Sequence, residues 1–278
     1  MITDAQTNFV YFSSLIAERH PDSWESIASI LDKHDIKHKF LDGTKDIWCR
    51  DYMPVQTDAN RFVQFKYEAP YLFLEPALRT IPLEVLQANS ISPIFTDIIL
   101  DGGNVIRSST HVIMTTRVFK DNPSIGKNEL IKKLEDHLQA EVLIIPDHTL
   151  DETGHADGHL RFINDKTVLV NELANEYVYW KNGFAKMIKE SGLNFVEMPW
   201  FEPKLKNEPL SALGIYVNYL EVGNLIVFPI FDIPGNKDQQ ALDVITRVFP
   251  EKTIVPVSIN DIGLTGGLMN CISWNILQ

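Results

Sequence analysis

The chain has 278 residues, 45% of them hydrophobic and 22% charged, enough length and apolar content to bury a core. Its net charge of −12 argues against nucleic acid and anionic membranes as partners and favours cationic ligands. Two cysteines with no Cys-x-x-Cys pair exclude a disulfide framework and a zinc knuckle.

Residues 8–13 (NFVYFS) read as a strand. Ile27, Ile30 and Leu31 fall on one face of a helix predicted over 23–33. Residues 61–66 (RFVQFK) alternate as a half-buried strand does, and 105–115 predict two strands about a turn at 108–110. A helix follows over 124–139, with Ser124 as its N-cap and Leu130, Ile131, Leu134 and Leu138 as its apolar stripe. Residues 141–145 read as a buried strand. Residues 160–163 and 167–170 form a hairpin across Asn164-Asp165, and a helix over 177–191 ends at Gly192. A second hairpin is expected from 215–220 and 225–228. A helix over 238–249 with Leu242, Ile245 and Phe249 then leads to a strand at 253–257. The stretch 199–209 reads as a long loop. No linker, low-complexity tract or charge block divides the chain, so residues 1–278 are expected to form a single catalytic domain. The first six residues lack the basic and apolar regions of a signal peptide. No apolar run reaches the ~20 residues that cross a bilayer, so the expected compartment is the cytoplasm.

Polar features recur along the chain at Asp51, Gly103, His155, Asn218 and Cys271, at intervals of 52, 52, 63 and 53 residues. Each interval holds a hairpin-like pair, a helix and a further strand. This predicts five similar units, each sending one segment to a common centre.

Four clusters carry chemistry. Cys271 follows Gly266-Gly267, and glycines let backbone approach a ligand closely. His155-Ala156-Asp157 in an extended segment puts an imidazole and a carboxylate on one side. A thiol is the nucleophile such a site needs, and the imidazole moves protons. Trp48 beside Arg50-Asp51 offers a carboxylate to clamp a planar cation and an indole to stack on it; the bland alternative is a surface Arg50–Asp51 pair. Asp101-Gly102-Gly103-Asn104 alone is only a strong turn signal. A rival reading takes His155, Asp157 and His159 as metal ligands, but the other histidines are scattered, and no metal is expected.

Taken in order, these segments resemble the agmatine deiminase and bacterial peptidylarginine deiminase family of the guanidine-modifying superfamily. Trp48-x-Arg50-Asp51-x-x-Pro54, Asp101-Gly102-Gly103-Asn104, the stretch from Asp151 to Phe162, the segment 216–229, and Gly266-Gly267 through Cys271 are each similar to a family segment. The resemblance implies a five-bladed α/β propeller, the pentein fold, with pseudo-fivefold symmetry. It implies that Cys271 is the nucleophile, His155 the general acid and base, and Asp101 the group that orients His155. Asp51 and Asp157 would bind the guanidinium, with Trp48 and Asn104 completing the substrate site. No cofactor is implied. Three positions depart from the family pattern: Met53 stands for a glycine, Asp101 for a glutamate and Asn270 for a histidine.

The expected reaction is hydrolysis of agmatine to N-carbamoylputrescine and ammonia through a Cys271 thiouronium. Peptidylarginine or free arginine comes second, and an amidinotransferase third. A non-enzymatic propeller, like the ribosome anti-association factor, would be expected to lack the Cys/His pair. The expected partner is a small cationic guanidine, without nucleic acid or membrane, and a homo-oligomer is allowed.

Overall fold

The computed structural model describes residues 1–69, 72, 75–149, 151–203 and 211–278. Among these, the fold is mixed α/β, with five three-stranded sheets of one design. In the first, β1 (Phe9–Ser13) is parallel to β2 (Lys37–Leu41) and antiparallel to β15 (Ser273–Ile276), so the two ends of the chain share a sheet. The second sheet is β3 (Val55–Asp58), β4 (Arg61–Lys66) and β5 (Ile94–Ile99); the third is β6 (Ile106–Arg107), β7 (His111–Thr115) and β8 (Glu141–Ile145). The fourth is β9 (Leu160–Asn164), β10 (Thr167–Asn171) and β11 (Asn194–Met198); the fifth is β12 (Leu220–Val222), β13 (Leu225–Ile230) and β14 (Thr253–Ser258).

In every sheet the middle strand is antiparallel to one neighbour and parallel to the other. Antiparallel strands close through a short turn, whereas parallel strands need a crossover. Helices supply it: Pro21–Lys33, Pro82–Ala88, Lys127–Leu138, Val178–Ser191 and Asp238–Val248. Four of these bury their apolar stripes with their own sheets, while Val85 and Leu86 of Pro82–Ala88 cluster with Phe9, Leu41 and Trp274 of the first sheet. Ile27 and Leu31 cluster with Val10 and Phe12, and Ile245 with Ile226 and Phe228. Leu130, Leu134 and Leu138 cluster with Val112 and Met114, and Trp180 and Phe184 with Val168 and Val170. Burial of such a side chain contributes roughly 1.5–3 kcal/mol.

Burial grades across each sheet. The strands β3, β6, β9, β12 and β15 are nearly all buried, while β2, β5 and β11 expose half or more of their residues. The buried edge strands still carry polar side chains: Gln56, Arg107, Arg161, Glu221 and Asn275 are all under 10% exposed.

Most expected elements are found within a residue or two. Two expectations need correction. Ser124 is not a cap: the helix starts at Lys127, Gly126 holds the N-cap position, and residues 117–121 form a separate short helix. Residues 215–219 are not a strand. Tyr216, Val217 and Tyr219 are buried, which produced the strand-like run, but the backbone turns there and pairing begins at Leu220. Of the loop expected over 199–209, residues 204–209 lie outside the described residues; 199–203 carry no regular structure. Among the described residues no helix is long and apolar enough to cross a membrane.

Candidate active site

Each of the strands β3, β6, β9, β12 and β15 is preceded by a tight turn, and the site is made of those five turns. They hold Asp51, Gly103, Asp157, Asn218 and Cys271. One hydrogen bond leads from each turn to the next. Gly103 N–H donates to Asp51 Oδ1 at 3.0 Å, and His155 Nε2 lies 3.1 Å from Asp101 Oδ2. Asn218 Nδ2 donates to the Asp157 carbonyl at 3.3 Å, and Asn270 N–H to Asn218 Oδ1 at 3.0 Å. The last link returns to the first turn, where Arg50 N–H donates to the Cys271 carbonyl at 3.1 Å. The common centre expected from the period is therefore present.

The glycines of the second turn make that approach possible. A Cβ on Gly102 would lie 2.0 Å from the Arg50 carbonyl oxygen. One on Gly103 would lie 2.6 Å from His155 Nδ1 and 2.7 Å from Asp51 Oδ1. No side chain fits either position. On the opposite side, Trp48 packs over the glycine turn before the thiol: a Cβ on Gly267 would meet the indole at 2.5 Å and the Cys271 Cβ at 3.0 Å.

His155 sits between two carboxylates, Asp101 at Nε2 and Asp51 Oδ1 at 3.5 Å from Nδ1, and all three are over nine-tenths buried. Burial alone pushes an imidazole toward the neutral form. Asp51, Asp101 and Asp157 outweigh it and bring the His155 pKa up to about 10. Asp51 is pushed up to about 7 by burial and by the like charges of Asp101 and Asp157, against the pull of His155 and the Gly103 N–H. Cys271 Sγ lies 3.5 Å from Asp157 Oδ2 and takes the Asn218 Nδ2 donor at 3.2 Å. Burial, Asp157 and Asp51 push its thiol well above the ordinary range. Three carboxylates gathered around the imidazole and the thiol leave the site strongly receptive to a cation, and a bound cation would favour the thiolate.

The sequence-predicted residues Cys271, His155, Asp101, Asp51, Asp157 and Trp48 thus come together. Asn104 lies in the same turn as Gly103, 2% exposed, with its carboxamide oxygen accepting the Thr115 N–H at 2.9 Å. Arg50 and Asp51 are not a surface pair: both are buried, and Arg50 reaches instead to Asn275 Oδ1 at 2.6 Å and the Asn270 carbonyl at 3.3 Å. His159 leaves the site altogether. Its ring packs on Trp180 and His148, 5.4 and 5.6 Å between centroids. Among the described residues no group of three or more His, Cys, Asp or Glu side chains is placed to hold a metal ion. Sequence reasoning did not assign Asn218 to the site, although its place in the period marked it. Asn270 was noted only as a departure from a pattern.

This arrangement sits on a fold found in solved agmatine deiminases. A C. jejuni agmatine deiminase superposes with a TM-score of 0.81 at 15% identity, over 100% of this chain and 95% of that one. An agmatine deiminase of Enterococcus faecalis gives 0.76 at 16% identity, over 99% and 94%. In sequence, the agmatine deiminase of Pseudomonas aeruginosa (strain LESB58) is 28% identical over 210 residues, 64% of this chain and 56% of the relative. The chain spans little more than half the length of the curated relatives it matches. The chain belongs to the Porphyromonas-type peptidyl-arginine deiminase family, whose model matches residues 10–276.

Proposed function

We propose that this chain hydrolyses the guanidino group of a small cationic substrate, agmatine first, to a ureido product and ammonia, on a closed five-bladed α/β propeller. The observation that carries the reading is the placement of the Cys271 thiol beside Asp157, with the His155 imidazole held between Asp51 and Asp101. The propeller is supported by the sheet shared between the two chain ends and by the links that run through the five turns.

A guanidinium is charged at any physiological pH and presents a planar fork of N–H donors. Asp51 and Asp157 accept from it with charge-assisted hydrogen bonds, and the Trp48 indole walls the pocket. The bound cation offsets the carboxylates that hold the thiol protonated, so Cys271 becomes a thiolate beside the central carbon. Sulfur attacks that carbon. The C–N bond breaks, His155 donates the proton that lets ammonia leave, and a thiouronium remains on Cys271. His155 then takes a proton from water, the C–O bond forms, the C–S bond breaks, and the ureido product departs. Asp101 keeps the imidazole oriented through both steps. These residues need neither metal nor organic cofactor for that sequence.

Free arginine would bring a carboxylate that needs its own cation. Arg107 and Arg161 are both engaged by Asp4, at 2.8 and 2.5 Å, which supports a substrate without that group. The matching family model keeps peptidylarginine as the second reading. Ureido product should be measured from agmatine, peptidylarginine and free arginine, with and without chelator. The expected result is turnover of agmatine above the others, unchanged by chelation. Turnover of none of the three would sink the proposal.

The pH profile follows from the two shifted groups. Asp51 must be ionised to clamp the cation and His155 protonated to serve as acid. For the active substrate, kcat/KM should rise with pH through about 7 and fall beyond about 10. A steady-state profile over that range checks both limbs. A flat profile between these values and one unit outside them would separate these groups from the chemistry.

A further inference from the structure

Beside the site runs a largely buried chain of polar side chains, and the proposed mechanism uses only its last two members. It starts at Asp4, in the helical turn Asp4–Gln6 before β1, and ends at the thiol. Asp4 Oδ1 accepts Arg107 Nη2 at 2.8 Å and Asn275 Nδ2 at 3.1 Å, and Asp4 Oδ2 accepts Arg161 Nη2. Arg161, 3% exposed, lies over the Tyr219 ring at 4.9 Å and donates Nη1 to the Tyr219 carbonyl at 3.1 Å and to Asn270 Oδ1 at 2.8 Å. Asn270 in turn donates Nδ2 to Asp157 Oδ2 at 2.7 Å, the same oxygen that stands 3.5 Å from Cys271 Sγ.

The Asn270 amide can face only one way. A guanidinium only donates and a carboxylate only accepts, so Oδ1 must meet Arg161 and Nδ2 must meet Asp157. Its backbone is held as well, N–H to Asn218 Oδ1 at 3.0 Å and carbonyl to Arg50 Nε at 3.3 Å. An amide free to flip would turn its oxygen on Asp157 and repel it. Arg161 forbids the flip, and Asp4 keeps Arg161 from swinging onto Asp157 and neutralising it. A neutral amide between cation and carboxylate therefore fixes the Asp157 carboxylate in place.

We propose that Asn270 is a positioning residue, anchored by the part-buried Asp4–Arg161 pair, that fixes the Asp157 carboxylate against the Cys271 thiol. The inference rests on the reading of Cys271 as nucleophile. It adds that residues near the N-terminus set the reactivity of a thiol near the C-terminus.

The test reads the thiol without substrate. Alkylation of Cys271 by iodoacetamide is followed against pH by peptide mass spectrometry in wild type, Asn270→Leu, Asp4→Asn and Asp4→Glu. The groups facing the thiol are Asp157, Asp51 and Asn218, with His155 and Asp101 behind Asp51. Losing the amide donor leaves the Asp157 charge less compensated, and that charge opposes thiolate formation. The Asn270→Leu profile should therefore move to higher pH by at least about half a unit, whereas Asp4→Asn, which frees Arg161 to neutralise Asp157, should move to lower pH. Asp4→Glu, which keeps the anion, should restore most of the wild-type profile. In parallel, Asn270→Leu should lower kcat on an active guanidine by about tenfold, more than it raises KM. A purely structural role would lower the melting temperature and leave the profile of the surviving folded protein where it was, and that result overturns the inference. Should no guanidine turn over, the alkylation profiles still decide this point separately from the reaction. A wild-type Cys271 that resists alkylation at every pH would overturn both.

Discussion

Replacing Cys271 by serine should abolish turnover, by at least about a thousandfold in kcat, while Cys49→Ser should keep activity within about threefold of wild type. The two thiols differ in surroundings, not in kind. Cys271 lies at the centre of the five turns, partly exposed, with Asp157 and the Asn218 amide at its sulfur. A serine hydroxyl there is ionised far less readily than a thiol, and the carboxylates beside it oppose its ionisation further. Cys49 is fully buried. Its S–H donates to the Ile272 carbonyl at 2.9 Å, and burial pushes its thiol far above the usual range. A serine O–H can make that same bond, so the small effect expected comes through the backbone next to Cys271. Steady-state rates, with circular dichroism to confirm folding, check both variants. A dead Cys49→Ser beside an active Cys271→Ser would reverse the assignment.

Asp51→Asn and Asp157→Asn should each lower kcat/KM by at least about a hundredfold. Both carboxylates are buried, 7% and 3% exposed, as are Asp101 and His155. Removing one leaves the substrate cation underpaired where water cannot help, and breaking a buried pair costs roughly 3–5 kcal/mol, against ~1.4 kcal/mol for each tenfold in rate. Part of the loss should fall on kcat, because the clamp also aims the carbon at sulfur. Asp51→Asn carries a second consequence. It removes the carboxylate at His155 Nδ1, the largest influence holding that imidazole charged, so the alkaline limb of the profile should move to lower pH. If either variant keeps more than about a third of the wild-type kcat/KM, that carboxylate is not a clamp, since the loss is then under ~1 kcal/mol.

The middle strands and the long helices were legible because each buries an apolar set with a clear period. Residues 61–66 match the middle strand β4 without change, the edge strand β8 was read as well at 141–145, and Leu130, Leu134 and Leu138 mark the buried stripe of their helix. The strands that went unread failed for two opposite reasons. In β2 (KHKFL) and β11 (NFVEM) most residues are exposed, so little hydrophobic pattern was needed. In β15 (SWNI) every residue is buried, yet two are polar, because Asn275 is hydrogen-bonded to Asp4, Thr7 and the Glu221 carbonyl. A buried polar residue satisfied by distant partners looks, in a sequence, like a surface residue.

The site divides along the same line. By itself the sequence determined the chemical parts and their spacing. A lone glycine-flanked Cys271, His155 with Asp157, Asp51 beside Trp48, and a period near 52 residues are local facts about residue type and position. Only the tertiary structure decided which atoms meet. It placed His155 between Asp51 and Asp101, turned Arg50 away from Asp51, sent His159 into an aromatic cluster, and brought in Asn218 and Asn270. Those outcomes depend on contacts between turns some fifty or more residues apart, and on burial that shifts an imidazole one way and a carboxylate the other. Neither separation in space nor loss of solvent is written in residue order. Both arise only when the five sheets bring their turns to one centre.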